Sequence, residues 1–179
     1  CFGKNRKYCI EKLKELFDGD VIVIDEIKLD NIAIHSRIIR DYIKDGNIKM
    51  ANKLLGKEYK IYGQKIKGQG LGAKSFVPTI NLKVDEFLLP NEGVYITKTI
   101  LDEQEFNSIT FLGHRFTTDG SYAIETHILD RDIEDKDYTT QIKFCEKLRD
   151  NKKFDSFEEL KNQILDDIKS AKNYFINIY

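Results

Sequence analysis

Hydrophobic positions change their period near Tyr59, and that change divides the chain. Before it the pattern is helical with one exception. Ile10, Leu13, Leu16 and Phe17 share one face of a short helix. His35 to Lys44 carries Ile39, Tyr42 and Ile43 on one side, and Gly46 marks its end. Ile48 to Leu55 groups Ile48, Ala51, Leu54 and Leu55, and Gly56 stops it as a C-cap. The exception is Val21-Ile22-Val23-Ile24-Asp25-Glu26-Ile27. Four consecutive β-branched apolar residues describe a strand buried on both faces, as inside parallel sheets. No second run of this kind occurs and there is no initiator Met. Two expectations follow: an α/β domain truncated at its N-terminal side, or a helix–strand appendage packed on the main domain.

From Tyr59 the period becomes two. Tyr59–Gly63, Thr79–Val84, Gly93–Ile100, Ser108–Gly113, Ser121–Leu129 and Gln141–Leu148 read as strands separated by turn-forming residues. Six closely spaced strands predict a small antiparallel barrel, making the chain mainly β. Ser156-Phe157-Glu158-Glu159 forms a capping box. Leu160, Ile164, Ile168, Ala171 and Phe175 then make the apolar stripe of a closing helix, expected to cover one mouth or flank of the barrel.

Composition narrows the partners. Charged residues make up 33%, yet the formal net charge is only -1, which argues against a general nucleic-acid binder. No apolar run is long enough to span a bilayer as a helix, and no signal peptide is expected. Cys1, Cys9 and Cys145 have no zinc-like spacing and are odd in number, which predicts free thiols in a reduced, cytoplasmic setting.

Candidate chemistry concentrates in two segments. Gly68, Gly70 and Gly72 form a glycine-rich run whose backbone N–H groups can turn toward a phosphate. Val77-Pro78-Thr79-Ile80-Asn81 follows it. On an extended strand Thr79 and Asn81 point to one face and Ile80 to the core, while Pro78 stiffens the entry. A phosphate cradle beside two neutral oxygen ligands suits a Mg²⁺–ATP site, and no Gly-Lys-Ser/Thr makes it a Walker loop. In Ser121–Leu129, Ile124, Thr126 and Ile128 share one side, and Ala123, Glu125 and His127 the other. A carboxylate there can act as general base toward a hydroxyl within reach. Taken singly, each feature also has a plain reading: a flexible hairpin loop, strand-edge polar residues, a solvated Glu. His114 and His127 lack a partner at ligand spacing and read as structural or merely near the site. Gly93 and Tyr95 read as a turn glycine and a packed aromatic, and Lys152-Lys153 as a solvated turn.

The combination resembles riboflavin kinase. Gly68-x-Gly70-x-Gly72 with Pro78-Thr79-x-Asn81 comes first, then Leu89-Pro90-Asn91-Glu92-Gly93-Val94-Tyr95. Leu112-Gly113-His114-Arg115-Phe116-Thr117, Glu125-Thr126-His127-Ile128-Leu129 and Lys147–Phe154 follow in order. Upstream, Phe2–Arg6 and Ile34–Arg40 resemble the tail of the adenylyltransferase domain in bacterial bifunctional FAD synthetases. The resemblance implies a six-stranded Greek-key barrel with a C-terminal helix over 58–179, a linker helix over 46–57, and an adenylyltransferase remnant over 1–45. It implies transfer of the γ-phosphoryl of ATP to the 5′-hydroxyl of riboflavin, giving FMN, with Mg²⁺ as cofactor. It assigns Thr79 and Asn81 to the metal and, with Gly68, Gly70, Gly72 and Lys74, to the nucleotide phosphates. Glu125 takes the place of the base. Contact with a missing adenylyltransferase domain is implied, and an oligomer is left open.

The match has departures. Leu71, Ala73 and Phe76 stand where the family carries loop arginines and a glycine, leaving Lys67 or Lys74 as the cation expected to compensate. Phe116 replaces a proline. His35 and Arg37 replace the Ser and Thr of the adenylyltransferase signature, Tyr8 stands where Gly is common, and its His-x-x-His motif is absent, so no FMN adenylylation is expected from this chain. The altered loop keeps an alternative open: a flavin- or nucleotide-binding module with weak or no kinase activity. A site completed only in the full-length protein is a third expectation.

Overall fold

The computed structural model describes residues 4–68, 77–134 and 136–177. It divides into two compact units, Cys1–Ile34 and His35–Tyr179. In the first, α1 (Ile10–Leu16) forms where the apolar periodicity predicts it, but buries none of its residues. The run 21–27 forms no strand, and Ile22 and Ile24 are 86% and 85% exposed. This corrects the expectation of a doubly buried strand. A β run is held by a ladder of partners, and among the described residues this one has only the Ile27 carbonyl accepting from Ile34 N–H at 2.9 Å and belongs to no sheet. A two-residue hairpin stands beside it instead, β1 (Lys28–Leu29) with β2 (Ile32–Ala33). Asp30 and Asn31 hold its turn at positive φ, as residue types that tolerate the left-handed region do.

The second unit starts with α2 (Ser36–Lys44) and α3 (Ile48–Leu55). Asn47 caps α3 by accepting from the Met50 N–H, and Gly56 ends it in the left-handed conformation. Six strands follow: β3 (Tyr59–Ile66), β4 (Ile80–Lys83), β5 (Gly93–Leu101), β6 (Gln104–His114), β7 (Tyr122–Ile128) and β8 (Thr139–Asp150). They close into a barrel in the order β3-β4-β7-β6-β5-β8, every pairing antiparallel. Closure removes the sheet edges that would otherwise need protection.

Alternation fixes what fills the barrel. Ile61, Leu82, Tyr95, Leu112, Ile124, Ile142 and Phe144 pack one buried cluster, with Ile80 against it, as its place between Thr79 and Asn81 requires. Beside them lie Thr97, Thr99, Ser108, Thr110 and Thr126, all fully buried. Their hydroxyls bond to one another at 2.8–3.0 Å, so no buried side-chain polar atom is left unpaired among the described residues.

β5 is buried on both faces because helix α4 (Phe157–Ile176) covers its outer side, Ala171 and Phe175 packing with Val94, Ile96, Ile109 and Cys145. Ser156 caps α4 by accepting from Glu159 N–H at 3.1 Å, and Glu159 accepts from Asp155 N–H. Arg149 makes a fork of hydrogen bonds to buried Asp167, tying α4 to β8. Burial pushes the Cys145 thiol up to about 12, which leaves it inert as a nucleophile. Gly93 is not a turn glycine: it opens β5, and a Cβ there would meet the Arg149 carbonyl oxygen at 2.4 Å. Tyr95 is fully buried, edge-on to Phe144 at 5.3 Å, and donates its hydroxyl to the Asn91 carbonyl.

Candidate active site

β4 and β7 run antiparallel with Asn81 directly opposite Glu125 and Ile80 opposite Thr126. Since Thr126 and Ile124 turn inward, Asn81 and Glu125 share the outer face as a directly opposed cross-strand pair. Thr79 stands two residues before Asn81, on the same side. Among the described residues its hydroxyl has no hydrogen-bond partner. Pro78 and His127 lock this entry, the neutral His127 ring donating from Nδ1 to the Pro78 carbonyl at 2.8 Å. Burial depresses His127, outweighing the opposing pull of that carbonyl, and so favours the neutral ring.

Gly68 closes the site from the other side. β3 pairs Ile66 with Asn81, and Gly68 lies against the Asn81 side chain. A Cβ at position 68 would lie 2.5 Å from Asn81 Nδ2, so any other residue here would have to displace the Asn81 side chain or the backbone at 68. Gly70, Gly72 and Lys74, together with Leu71, Ala73 and Phe76, lie outside the described residues.

Arg115, from the Leu112–Thr117 motif, joins the pair. Its Nε donates to Glu125 Oε1 at 3.0 Å, and its Nη2 donates to the same oxygen and to Asn81 Oδ1 at 2.8 Å. Its Nη1 donates to Ser121 Oγ at 2.8 Å, and that hydroxyl donates to the Asp119 carboxylate. The signal in the sequence was the turn Thr118-Asp119-Gly120: a hairpin there sets Arg115 opposite Ser121, and Arg115 N–H donates to the Ser121 carbonyl at 2.9 Å. Among the described residues Glu125 Oε2 accepts no hydrogen bond.

A second cluster lies where β5, β6 and β8 meet. Glu92 accepts from His114 N–H at 3.0 Å and Asn151 Nδ2 at 3.0 Å through Oε2, and from His114 Nδ1 at 2.7 Å through Oε1. His114 also stacks on Phe116 and meets Tyr122 edge-on. His114 is therefore structural, as its spacing predicts. Lys152 is exposed, as the solvated reading expects, and from there it donates to Gln163 at 2.9 Å and lies over the Phe154 ring.

The donor chemistry fits Mg²⁺. Thr79 and Asn81 present hard neutral oxygens of the kind Mg²⁺ takes, although Asn81 Oδ1 is already engaged by Arg115. No cluster of three His, Cys, Asp or Glu side chains capable of holding a metal occurs among the described residues, so an ion here would complete its shell from water and phosphate.

The family model for riboflavin kinase (flavokinase) matches residues 55–175, more than half of the chain. The chain belongs to the riboflavin kinase family. Among curated relatives, the bifunctional riboflavin kinase/FMN adenylyltransferase of Haemophilus influenzae is 36% identical, over 82% of this chain and 48% of its own length. The protein of that name from Bacillus subtilis is 27% identical over 99% of this chain and 58% of its own length. A solved structure titled as a macrolide-efflux protein from Streptococcus pneumoniae superposes with a TM-score of 0.83 at 32% identity, covering 93% of this chain and 56% of that one. The chain thus spans about half the length of the curated relatives it matches. The closed six-stranded barrel with its C-terminal helix is the architecture that the resemblance to this kinase family implied. Among the described residues no helix is long and apolar enough to cross a membrane.

Proposed function

We propose that this chain is an ATP:riboflavin 5′-phosphotransferase that forms FMN. The observation that carries the reading is the register of β4 and β7, which opposes Asn81 to Glu125 with Gly68 pressed against the Asn81 amide. Glu125 accepts the proton of the ribityl 5′-hydroxyl through the oxygen that Arg115 leaves free, as a general base must. Thr79 and Asn81 hold Mg²⁺, whose charge offsets that of the ATP phosphates; phosphoryl transfer needs such positioning and neutralisation more than covalent help. Gly70, Gly72 and Lys74 belong to the loop that receives the nucleotide. Residues 1–45 are the end of an adenylyltransferase domain, 46–57 the linker, and 58–179 the kinase. The full protein also adenylylates FMN through a domain of which this chain carries only the end, acts in the cytoplasm, and brings that domain into contact with the barrel.

Incubation with riboflavin and Mg·ATP, with flavins separated by chromatography, tests this. FMN should accumulate only when metal and ATP are both present. Absence of FMN together with absence of flavin binding defeats the reading, and tight flavin binding without turnover leaves a binding module in its place. Asn81→Ala should lower turnover by roughly 10²-fold through misplacement of the nucleotide.

A further inference from the structure

The hairpin 115–121 carries a cation to the place where the phosphotransfer reading, on which this inference rests, puts the metal. Nη2 of Arg115 bridges Asn81 Oδ1 and Glu125 Oε1, while Nε stays on Glu125 alone. The arm is fixed at its base. Arg115 N–H donates to Ser121, its carbonyl accepts from Thr118 and Gly120 N–H, and Ser121 passes the guanidinium contact on to Asp119. The side chain is only 15% exposed, so it is a built part of the site. An amide oxygen has two lone pairs, yet a divalent ion and a guanidinium held on the same oxygen repel each other at short range.

We propose that Arg115 is the positioning residue of Glu125 and an internal competitor of the metal at Asn81. It fixes the carboxylate through Oε1, keeping Oε2 for the substrate hydroxyl, and yields Asn81 Oδ1 when the metal–nucleotide binds. Its two contacts therefore act in opposite directions. Loss of the Glu125 contact slows turnover; loss of the Asn81 contact favours the metal.

Calorimetry with ADP, in Mg²⁺ and in EDTA, separates these effects on the full chain. The ratio of the two affinities is the coupling between metal and nucleotide. Attraction of the guanidinium for phosphate enters both arms and cancels. In Arg115→Gln the ratio should rise roughly tenfold, the size of a weakened charge-assisted hydrogen bond, while kcat falls by at least about tenfold. Arg115→Lys, which keeps the charge but not the fork, should lie between variant and wild type on both scales. In an Asn81→Ala background Arg115→Gln should leave the ratio unchanged. An unchanged or smaller ratio in Arg115→Gln overturns the inference, including the case where a loosened fold weakens ADP equally with and without metal. So does the same rise in the Asn81→Ala background, or failure of both wild type and variant to bind ADP at all. Wild type that couples Mg²⁺ to ADP yet makes no FMN defeats the kinase reading and leaves the competition at Asn81 standing on its own measurement.

Discussion

Glu125 and Glu92 are carboxylates of the same barrel and equally shielded, with side chains 25% and 31% exposed. Their surroundings differ. Glu92 has both oxygens occupied by three donors, a backbone N–H, an amide and an imidazole. Glu125 is held through one oxygen by a guanidinium, and its second oxygen has no partner among the described residues. Burial alone does not tell a structural carboxylate from a reactive one. Saturation does. A carboxylate with both oxygens engaged joins strands, whereas one fixed at a single oxygen is aimed and still able to accept a proton.

The comparison breaks most visibly under paired Glu→Gln substitutions. Glu125→Gln keeps an acceptor for Arg115 but removes the basic carboxylate, so kcat for FMN formation should fall by roughly 10²–10⁴-fold. Its thermal midpoint should stay within a few degrees of wild type, as expected for a site away from the packed core. Glu92→Gln should reverse the pattern, with turnover within about threefold of wild type and stability lowered. Equal loss of turnover in the two variants, measured by flavin chromatography, would remove the distinction.

Gly68→Ala sharpens the comparison from the other partner of Glu125. The added methyl would sit 2.5 Å from Asn81 Nδ2, so the Asn81 side chain or the chain at 68 must shift. A displacement of that size at a positioning residue should reduce kcat by roughly 10- to 100-fold and raise the Mg²⁺ concentration needed for half-maximal rate. Wild-type kinetics in Gly68→Ala would mean that the close approach to Asn81 does not set the site.

The barrel was legible because its strands alternate, and a closed barrel gives each alternation a definite inside. Thr79, Asn81 and Glu125 stood out as candidates because a proline-stiffened strand with oxygen side chains two residues apart is uncommon, and other motifs appeared in order with it; the β4–β7 register then sets Asn81 opposite Glu125. Two things escaped. Residues 21–27 were read as a buried strand because pattern alone reports the side chains and not the ladder partners, and Ile22 and Ile24 are exposed. Arg115 escaped because a strand-end arginine becomes meaningful only once the hairpin folds it back over β7 onto Asn81 and Glu125, a contact spanning 34 residues in the first case. The hydroxyl layer of Thr97, Thr99, Ser108, Thr110 and Thr126 was invisible for a related reason. Each Thr looks like an ordinary β former, and only closure brings their oxygens together.

The smallest expected effect tests the structural side of the comparison by titration. Burial alone would raise the Glu92 carboxyl; hydrogen bonds from His114 N–H, Asn151 and the His114 ring outweigh it and hold the group below its ordinary 4.5. A carboxyl with a depressed folded-state pKa contributes stability in full above its unfolded value and loses it as pH falls through the folded one. Wild type should therefore exceed Glu92→Gln in unfolding free energy by about 1 kcal/mol at neutral pH, a modest figure because the group is partly exposed to screening solvent. The gap should begin to narrow below about pH 4.5 and shrink further with acid, while the other carboxylates titrate alike in both proteins. Urea unfolding at pH 7, 5, 4 and 3 measures it. A gap that stays constant from neutral pH into acid would mean that Glu92 acts through shape and not through its charge, and the contrast with Glu125 would then rest on hydrogen-bond geometry alone.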